Sequence, residues 1–252
     1  MRREDCGCYT LLTKELLVED KNAFKQYLRM DDHCLQELIN YVKVDLTKKD
    51  TVMRNSISVP EKVALVLRFL ASGESFRSLE YQSRLSESII FITVPEVCEA
   101  IYKKLGPEYL KFPSCNEEWI NIAKGFEFRW QFPHSLGAID GKHVAFRASR
   151  GHGAIYYNYK GFNSIILLAM CKADYTFTYI NFGLNGGCHD AGDLSQSDLN
   201  QILYNDDSLS KDEVIGNELN LPYVVIGDDA FPLTKQILKP FPYLVLAMPD
   251  RQ

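Results

Sequence analysis

Ser135-Leu-Gly-Ala-Ile-Asp-Gly-Lys-His-Val-Ala-Phe-Arg147 is the stretch on which the fold turns. An apolar run delivers Asp140 to a glycine and then leaves as a second apolar run. A carboxylate closing a buried strand is costly unless something pairs its charge. Two further acids stand in similar settings. Asp190, in Gly186-Gly-Cys-His-Asp-Ala-Gly192, follows a glycine pair, and Asp228, in Tyr223-Val-Val-Ile-Gly-Asp-Asp-Ala-Phe231, closes another apolar strand. Three carboxylates at strand ends point to a divalent-metal site. Duller readings exist for each: Asp140-Gly141 as a two-residue hairpin turn, Asp190 as a helix cap, and Asp228 or Asp229 as the cap of a helix through Leu233 to Leu238. Lys142 and His143 directly beyond the glycine, Asp193 as a nearer cap, and the recurrence of the pattern favour the metal. Asp228 is assigned to the chemistry and Asp229 to the turn.

Working outward, the chain after Phe132-Pro133 reads as strands. Asn163 to Ala173 is almost continuously apolar, as a central strand covered on both faces would be, and Thr176 to Gly183 alternates. Residues 194 to 204 suit a helix capped by Asp193, and Leu221 to Gly227 returns to a buried strand. The order strand, strand, strand, helix, strand predicts a mixed α/β layout on a partly antiparallel sheet. Before this, from Leu11 to about Leu110, apolar residues recur at helical spacing, as in Leu35, Leu38, Ile39 and Val42. Asp31 or Asp32 and Ser58 are expected caps, Pro60 sits in a permitted first turn, and Gly73 is a natural stop. A short helix from Ser75, a tight connection, and a longer helix capped by Ser86 or Ser88 and ended by Gly106-Pro107 have the outline of a helix-turn-helix. A plain helical bundle fits equally, with Arg77, Arg84, Lys103 and Lys104 the nearby cations. The expected division is therefore a helical domain over 1–110, a connection over 111–132 marked by Pro113, Gly125 and two tryptophans, and an α/β domain over 133–252.

Composition narrows the classes. Of 252 residues 46% are hydrophobic, enough for real cores. The longest apolar run, Ile165 to Cys171, is too short to span a bilayer, and no secretory block opens the chain, so a soluble intracellular protein without membrane partners is expected. Seven cysteines lie scattered without a C-x-x-C pair, which suggests neither a disulfide framework nor a zinc ribbon. The net charge of -5 argues against non-specific coating of nucleic acid, and most of the acid excess falls after residue 130, with the three aspartates. A bound cation would offset part of it.

Mg²⁺ takes hard oxygen ligands in octahedral geometry, and two such ions sharing a carboxylate can drive an in-line phosphoryl displacement. His143, His189 and Lys142 are candidates for supporting the ligands or positioning substrate, and either histidine could equally be an ordinary loop residue. Between the first two acids, Arg150-Gly-His-Gly-Ala-Ile-Tyr-Tyr-Asn-Tyr-Lys-Gly161 combines glycines, three tyrosines and cations. Arg147, Arg150 and Lys160 could hold phosphates while tyrosines such as Tyr157 stack on bases, or the loop could simply pack on the sheet.

Leu136-Gly-Ala-Ile-Asp-Gly-Lys-His-Val144, Tyr156-Tyr-Asn-Tyr-Lys-Gly-Phe-Asn-Ser164, Gly186 to Gly192, and Val225-Ile-Gly-Asp-Asp-Ala-Phe-Pro-Leu233 with Lys239-Pro240 together resemble the transposase-derived nucleases of the PIF/Harbinger type. Leu67-Arg-Phe-Leu-Ala-Ser-Gly-Glu-Ser-Phe-Arg-Ser-Leu79 resembles the same family. The resemblance implies an RNase H-like mixed sheet, incomplete at its C-terminus, preceded by an all-α domain. It implies a divalent cation, Mg²⁺ or Mn²⁺, and hydrolysis of DNA phosphodiesters. Asp140 and Asp228 match two family aspartates and Asp190 a further acidic position. It also implies DNA and a Myb-like targeting protein as partners, and a nuclear setting with the cytoplasm as a second compartment. The family's third catalytic acid is a glutamate on a helix beyond the position of Asp228, and Gln252 comes first. Glu213 and Glu218 precede the last strand. A fragment, a shortened gene product or a decayed copy is therefore expected, with weak or absent nuclease activity. Two rivals remain: a former transposase that only binds DNA or a partner, and a His-Asp metal phosphohydrolase built on His189, Asp190, His143 and Asp228.

Overall fold

The computed structural model describes residues 7–50, 55–148, 153–187, 197–205, 213–215 and 219–241, in two compact units, Met1–Glu108 and Tyr109–Gln252. Among the described residues no helix is long and apolar enough to cross a membrane.

The first unit is helical. A leading helical segment over residues 8–19 is followed by α1 (Lys21–Leu28), α2 (Asp32–Leu46), α3 (Val59–Ser72), α4 (Phe76–Ser83) and α5 (Glu87–Tyr109). The caps lie where the side chains can supply them. Asp31 Oδ1 accepts from Cys34 N at 3.0 Å, Ser58 Oγ from Glu61 N at 3.4 Å, and Ser75 Oγ from Ser78 N at 3.2 Å. Gly73 closes α3 at φ 66°, a left-handed position that glycine takes without a Cβ penalty. Phe24, Leu35, Val42, Val63, Val66, Leu79, Ile90 and Val97 meet in one buried core. The helix expected to stop at Gly106-Pro107 runs on to Tyr109 and carries Pro95 and Pro107 within it.

Polar groups of the Leu67–Leu79 motif also join this packing. Arg68 lies over the Tyr27 ring at 4.2 Å and pairs with Glu74, whose other oxygen accepts from Ser78 Oγ at 2.6 Å and from Gln82 Nε2. Tyr27 O–H in turn donates to Gln82 Oε1 at 3.0 Å. One network thus ties α1, α3 and α4. Hydrogen bonding by Ser78 and the Arg68 charge hold the Glu74 carboxyl below its usual range, and burial pushes the Tyr27 phenol up to about 12.

The second unit opens with α6 (Asn116–Trp130), in the segment expected to be a connection. Trp119, Ile122, Ala123 and Phe126 form a single apolar stripe that is buried against the sheet. That burial, rather than propensity, overrides Gly125. The sheet comprises β1 (Ser135–Ala145), β2 (Ser164–Cys171), β3 (Phe177–Asn185), β6 (Val224–Ile226) and β7 (Ile237–Leu238), with a separate pair formed by β4 (Glu213–Ile215) and β5 (Leu219–Leu221). Its order is β3-β2-β1-β6-β7, antiparallel across β3, β2 and β1 and parallel across β1, β6 and β7. This is a mixed α/β arrangement consistent with an RNase H-like fold. Side chains alternate between the two faces. Ile139, Leu168, Met170 and Val225 point into the core with α6 and with Leu199 and Leu203 of α7 (Asp198–Asn205). Ala138, Asp140, Leu167, Ala169, Cys171 and Ile226 occupy the other, less covered face. The described start of α7 accepts through Ser197 Oγ from Asn200 N at 3.4 Å. Asp193, the expected cap, lies outside the described residues.

Candidate metal centre

Asp140 does not sit in a hairpin turn, nor at the end of its strand. β1 continues through it, with Asp140 opposite Ala169, Gly141 opposite Leu168 and Lys142 opposite Leu167. The change of character at Asp140 marks instead the point where its other neighbour runs out. β6 pairs with β1 as far as Ala138 opposite Ile226, and Asp140 and Asp228 each stand two residues further along. Gly227 N–H donates to Leu238 O at 2.9 Å. Asp140 lies within β1 and Asp228 in the loop two residues past β6, so both stand just beyond the point where the parallel β1–β6 pairing stops. Both are exposed.

Each carboxylate is held by one oxygen. Asp140 Oδ1 accepts from Gly141 N at 2.8 Å and Asp228 Oδ1 from Ala230 N at 3.0 Å. Their Oδ2 atoms have no protein donor among the described residues. Two hard oxygen donors, fixed by the backbone and open on one side, fit the first ligands of Mg²⁺ or Mn²⁺. The local field is negative: burial raises the Cys171 thiol, and the Asp174 and Asp140 carboxylates add to the rise. The helix expected through Leu233–Leu238 does not form. Asp228 heads a turn instead, Thr234 Oγ1 accepts from Gln236 N and Ile237 N, and the chain enters β7, with Asp229 O accepting from Lys239 Nζ at 3.2 Å.

Lys142 is exposed on the face of Asp140. His143 is not. Three residues from Asp140 on a strand means the opposite face, where His143 Nδ1 bonds Ser164 Oγ at 2.9 Å and its ring meets Tyr159 edge-on. Asp190, His189 and Arg150 lie outside the described residues. A His-Asp phosphohydrolase needs helices around its ligands, whereas Asp140, His143 and Asp228 lie on or beside strands.

Asn158 and Ser164 are side chains whose role the sequence did not disclose. Both are buried. Asn158 Nδ2 donates to Ser164 Oγ at 2.8 Å while its Oδ1 accepts from Lys160 N and Phe162 N. Gly186 closes on the same point: its N–H donates to Ser164 O at 2.9 Å, and a Cβ there would lie 2.1 Å from Ser164 Oγ and 2.5 Å from Ser164 O. The available signal was an asparagine inside a tyrosine- and glycine-rich turn, where a side chain often replaces backbone partners. This knot fixes the tyrosine loop. Tyr156 packs on Phe146, whereas Tyr157 and Tyr159 project into solvent with Lys160 near the Tyr159 ring. Arg147 is exposed just past β1. In the first unit Arg84 is exposed and ends α4, and Arg77 pairs with Glu87 at 3.9 Å. The outer positions of the first turns of α5 are Glu87, Ser88, Phe91 and Ile92, acidic and apolar rather than basic.

Residues 139–249 match the family described as DDE superfamily endonuclease, a span that includes Asp140, Asp190 and Asp228. Over 240 residues the chain is 22% identical to "Protein ALP1-like" of Arabidopsis thaliana, covering 92% of this chain and 58% of that protein. It is 23% identical over 192 residues to "Putative nuclease HARBI1" of Rattus norvegicus (76% of this chain, 51% of that protein) and 24% identical over 151 residues to the Homo sapiens protein of the same name (60% and 43%). The chain thus spans about half the length of the curated relatives it matches. No solved structure matches.

Proposed function

We propose that residues 109–252 form the metal-binding catalytic unit of a transposase-derived endonuclease that hydrolyses DNA phosphodiester bonds. The observation that supports this reading is that Asp140 and Asp228 stand just beyond the same end of the β1–β6 pairing, each with one carboxylate oxygen free of a protein donor among the described residues. Asp140 and Asp228 would hold the cation, and Asp190 is a further candidate ligand. A divalent ion there would polarise a phosphate oxygen and make its bound water acidic enough to attack near neutral pH. The chain's own contribution is placement. Asp140 is fixed by β-pairing on both sides of its own position, Asp228 by a turn, and Lys142 offers a positive charge to the scissile phosphate from the same face. Arg147 and Lys160 serve the DNA backbone, and the exposed Tyr157 and Tyr159 stack on bases. A nuclear setting and a Myb-like targeting partner belong to the same proposal and rest on the resemblance alone.

Nicking of supercoiled plasmid by the purified chain tests it. The expected result is weak nicking that requires Mg²⁺ or Mn²⁺, stops with chelator, and is lost in Asp140→Ala and in Asp228→Ala. Metal-independent nicking, or nicking that survives both substitutions, would contradict it. Retention of DNA without cleavage under every metal would replace it with a binding protein.

A further inference from the structure

On the α6 side of the second unit, between that helix and the turn joining β2 to β3, lies a cavity of about 390 Å³. That is the size of a small-molecule site, which typically combines an apolar lining with a few placed polar groups. The apolar part here is Phe112, Ile122, Gly125 and Ala173, and Phe112 is held edge-on by Trp119 and Tyr179 at 5.3 and 6.1 Å. The polar part carries three cations and two carboxylates, one positive charge in excess. Lys111, Arg129 and Lys172 line it and make no ion pair within 4.0 Å among the described residues. The two acids that also line it have backbone partners. Glu118 accepts from Ser114 N at 2.7 Å and from Ser114 Oγ at 3.2 Å, and Asp174 accepts from Thr176 N at 3.1 Å. These hydrogen bonds first, and the nearby lysines after them, hold both carboxyls below their usual range.

Gly125 adds an independent argument. A glycine inside a helix costs about 1 kcal/mol relative to alanine. Here a methyl group would meet only Ala173 Cβ, at an ordinary 3.6 Å, so neither backbone conformation nor close packing demands glycine. Its effect is to leave the cavity wall open.

We infer that this cavity binds a phosphate joined to a flat heteroaromatic ring, the chemistry of a nucleotide, with Arg129 and Lys172 at the phosphate and Phe112 against the ring. The guanidinium presents a planar fork to phosphate oxygens and the lysine a point charge, while Phe112 offers stacking area that does not discriminate between bases. The ligand's source is either a free mononucleotide or the terminal nucleotide of a strand. The inference stands apart from the metal centre, whose Asp140 lies on the other face of the sheet.

Calorimetric titration of the full chain in metal-free buffer tests it with four probes: dAMP, deoxyadenosine, inorganic phosphate, and a 5′-phosphorylated single-stranded dodecamer. The expected order is dAMP at least about tenfold tighter than deoxyadenosine or phosphate alone. Arg129→Glu, at an exposed position, and Gly125→Leu, which fills the wall, should each weaken dAMP at least about tenfold with the circular dichroism unchanged, and Asp140→Ala should leave it intact. A dodecamer that outcompetes dAMP identifies a strand as the source, and a weaker one identifies the free nucleotide. Absence of dAMP binding, equal binding of deoxyadenosine, or unchanged affinity in folded Arg129→Glu would overturn the inference.

Discussion

Glu74 in the first unit and the Asp140–Asp228 pair in the second show two ways of keeping a carboxylate. Both Glu74 oxygens are engaged: Arg68 forms an ion pair with one, and Ser78 and Gln82 donate to the other. Asp140 and Asp228 each receive one backbone N–H and keep an oxygen open to solvent. A filled shell contributes to stability and leaves nothing for a ligand. A half-filled shell contributes little and invites a hard cation. The contrast explains why the motif around Arg68 holds a fold together while the motif around Asp140 points to chemistry.

Substitutions can break this comparison. The largest effect is expected at Asp140: Asp140→Ala should lower the metal-dependent nicking rate by about 10²-fold or more, yet leave thermal stability nearly unchanged. A matching fall in melting temperature would show that its carboxylate is structural after all. Next comes Arg68→Ala, which strands Glu74 and removes the cation over Tyr27. Because Arg68 and Glu74 are partly exposed, the cost is set below that of a fully buried pair, at about 2–3 kcal/mol by denaturant unfolding, with metal binding unaffected. Gly186→Ala should cost about 1–3 kcal/mol through overpacking on Ser164, since backbone as well as side chain stands in the way.

The smallest effect is a pH dependence. The Glu74 carboxyl is held below its ordinary 4.5, so its stabilisation is fully present above that value and is lost as pH falls through the lower, folded-state pKa. Acid unfolding of the chain should therefore be steeper below about pH 4.5 in the wild type than in Glu74→Gln. Identical acid limbs would mean that the network does not depend on the charge.

Much of this was legible in the sequence, for reasons that differ by region. The helical unit declares itself locally, because caps at Asp31, Ser58 and Ser75 and the stop at Gly73 act through hydrogen bonds only a few residues long. In the second unit the strands and their order were readable from apolar runs, but the decisive relations are not local. Asp140-Gly141 has the composition of a turn and becomes mid-strand only because β2 pairs along it. Residues 233–238 resemble a helix by composition and are instead drawn into β7 by pairing with β6. The helix over Asn116–Trp130 was readable in the spacing of Trp119, Ile122, Ala123 and Phe126, but Pro113 and Gly125 suggested punctuation. The place of His143 follows from the same pairing: once β1 continues past Gly141, an odd separation from Asp140 sends it to the other face.

The most direct measurement is a Mn²⁺ titration followed by electron paramagnetic resonance on wild type, Asp140→Asn, Asp228→Asn and the double variant. If the two carboxylates share one ion, the wild type binds Mn²⁺ at a site that either single substitution abolishes, and the double variant is no worse than the singles. A site that survives in both single variants, or losses that simply add, would contradict a shared ion.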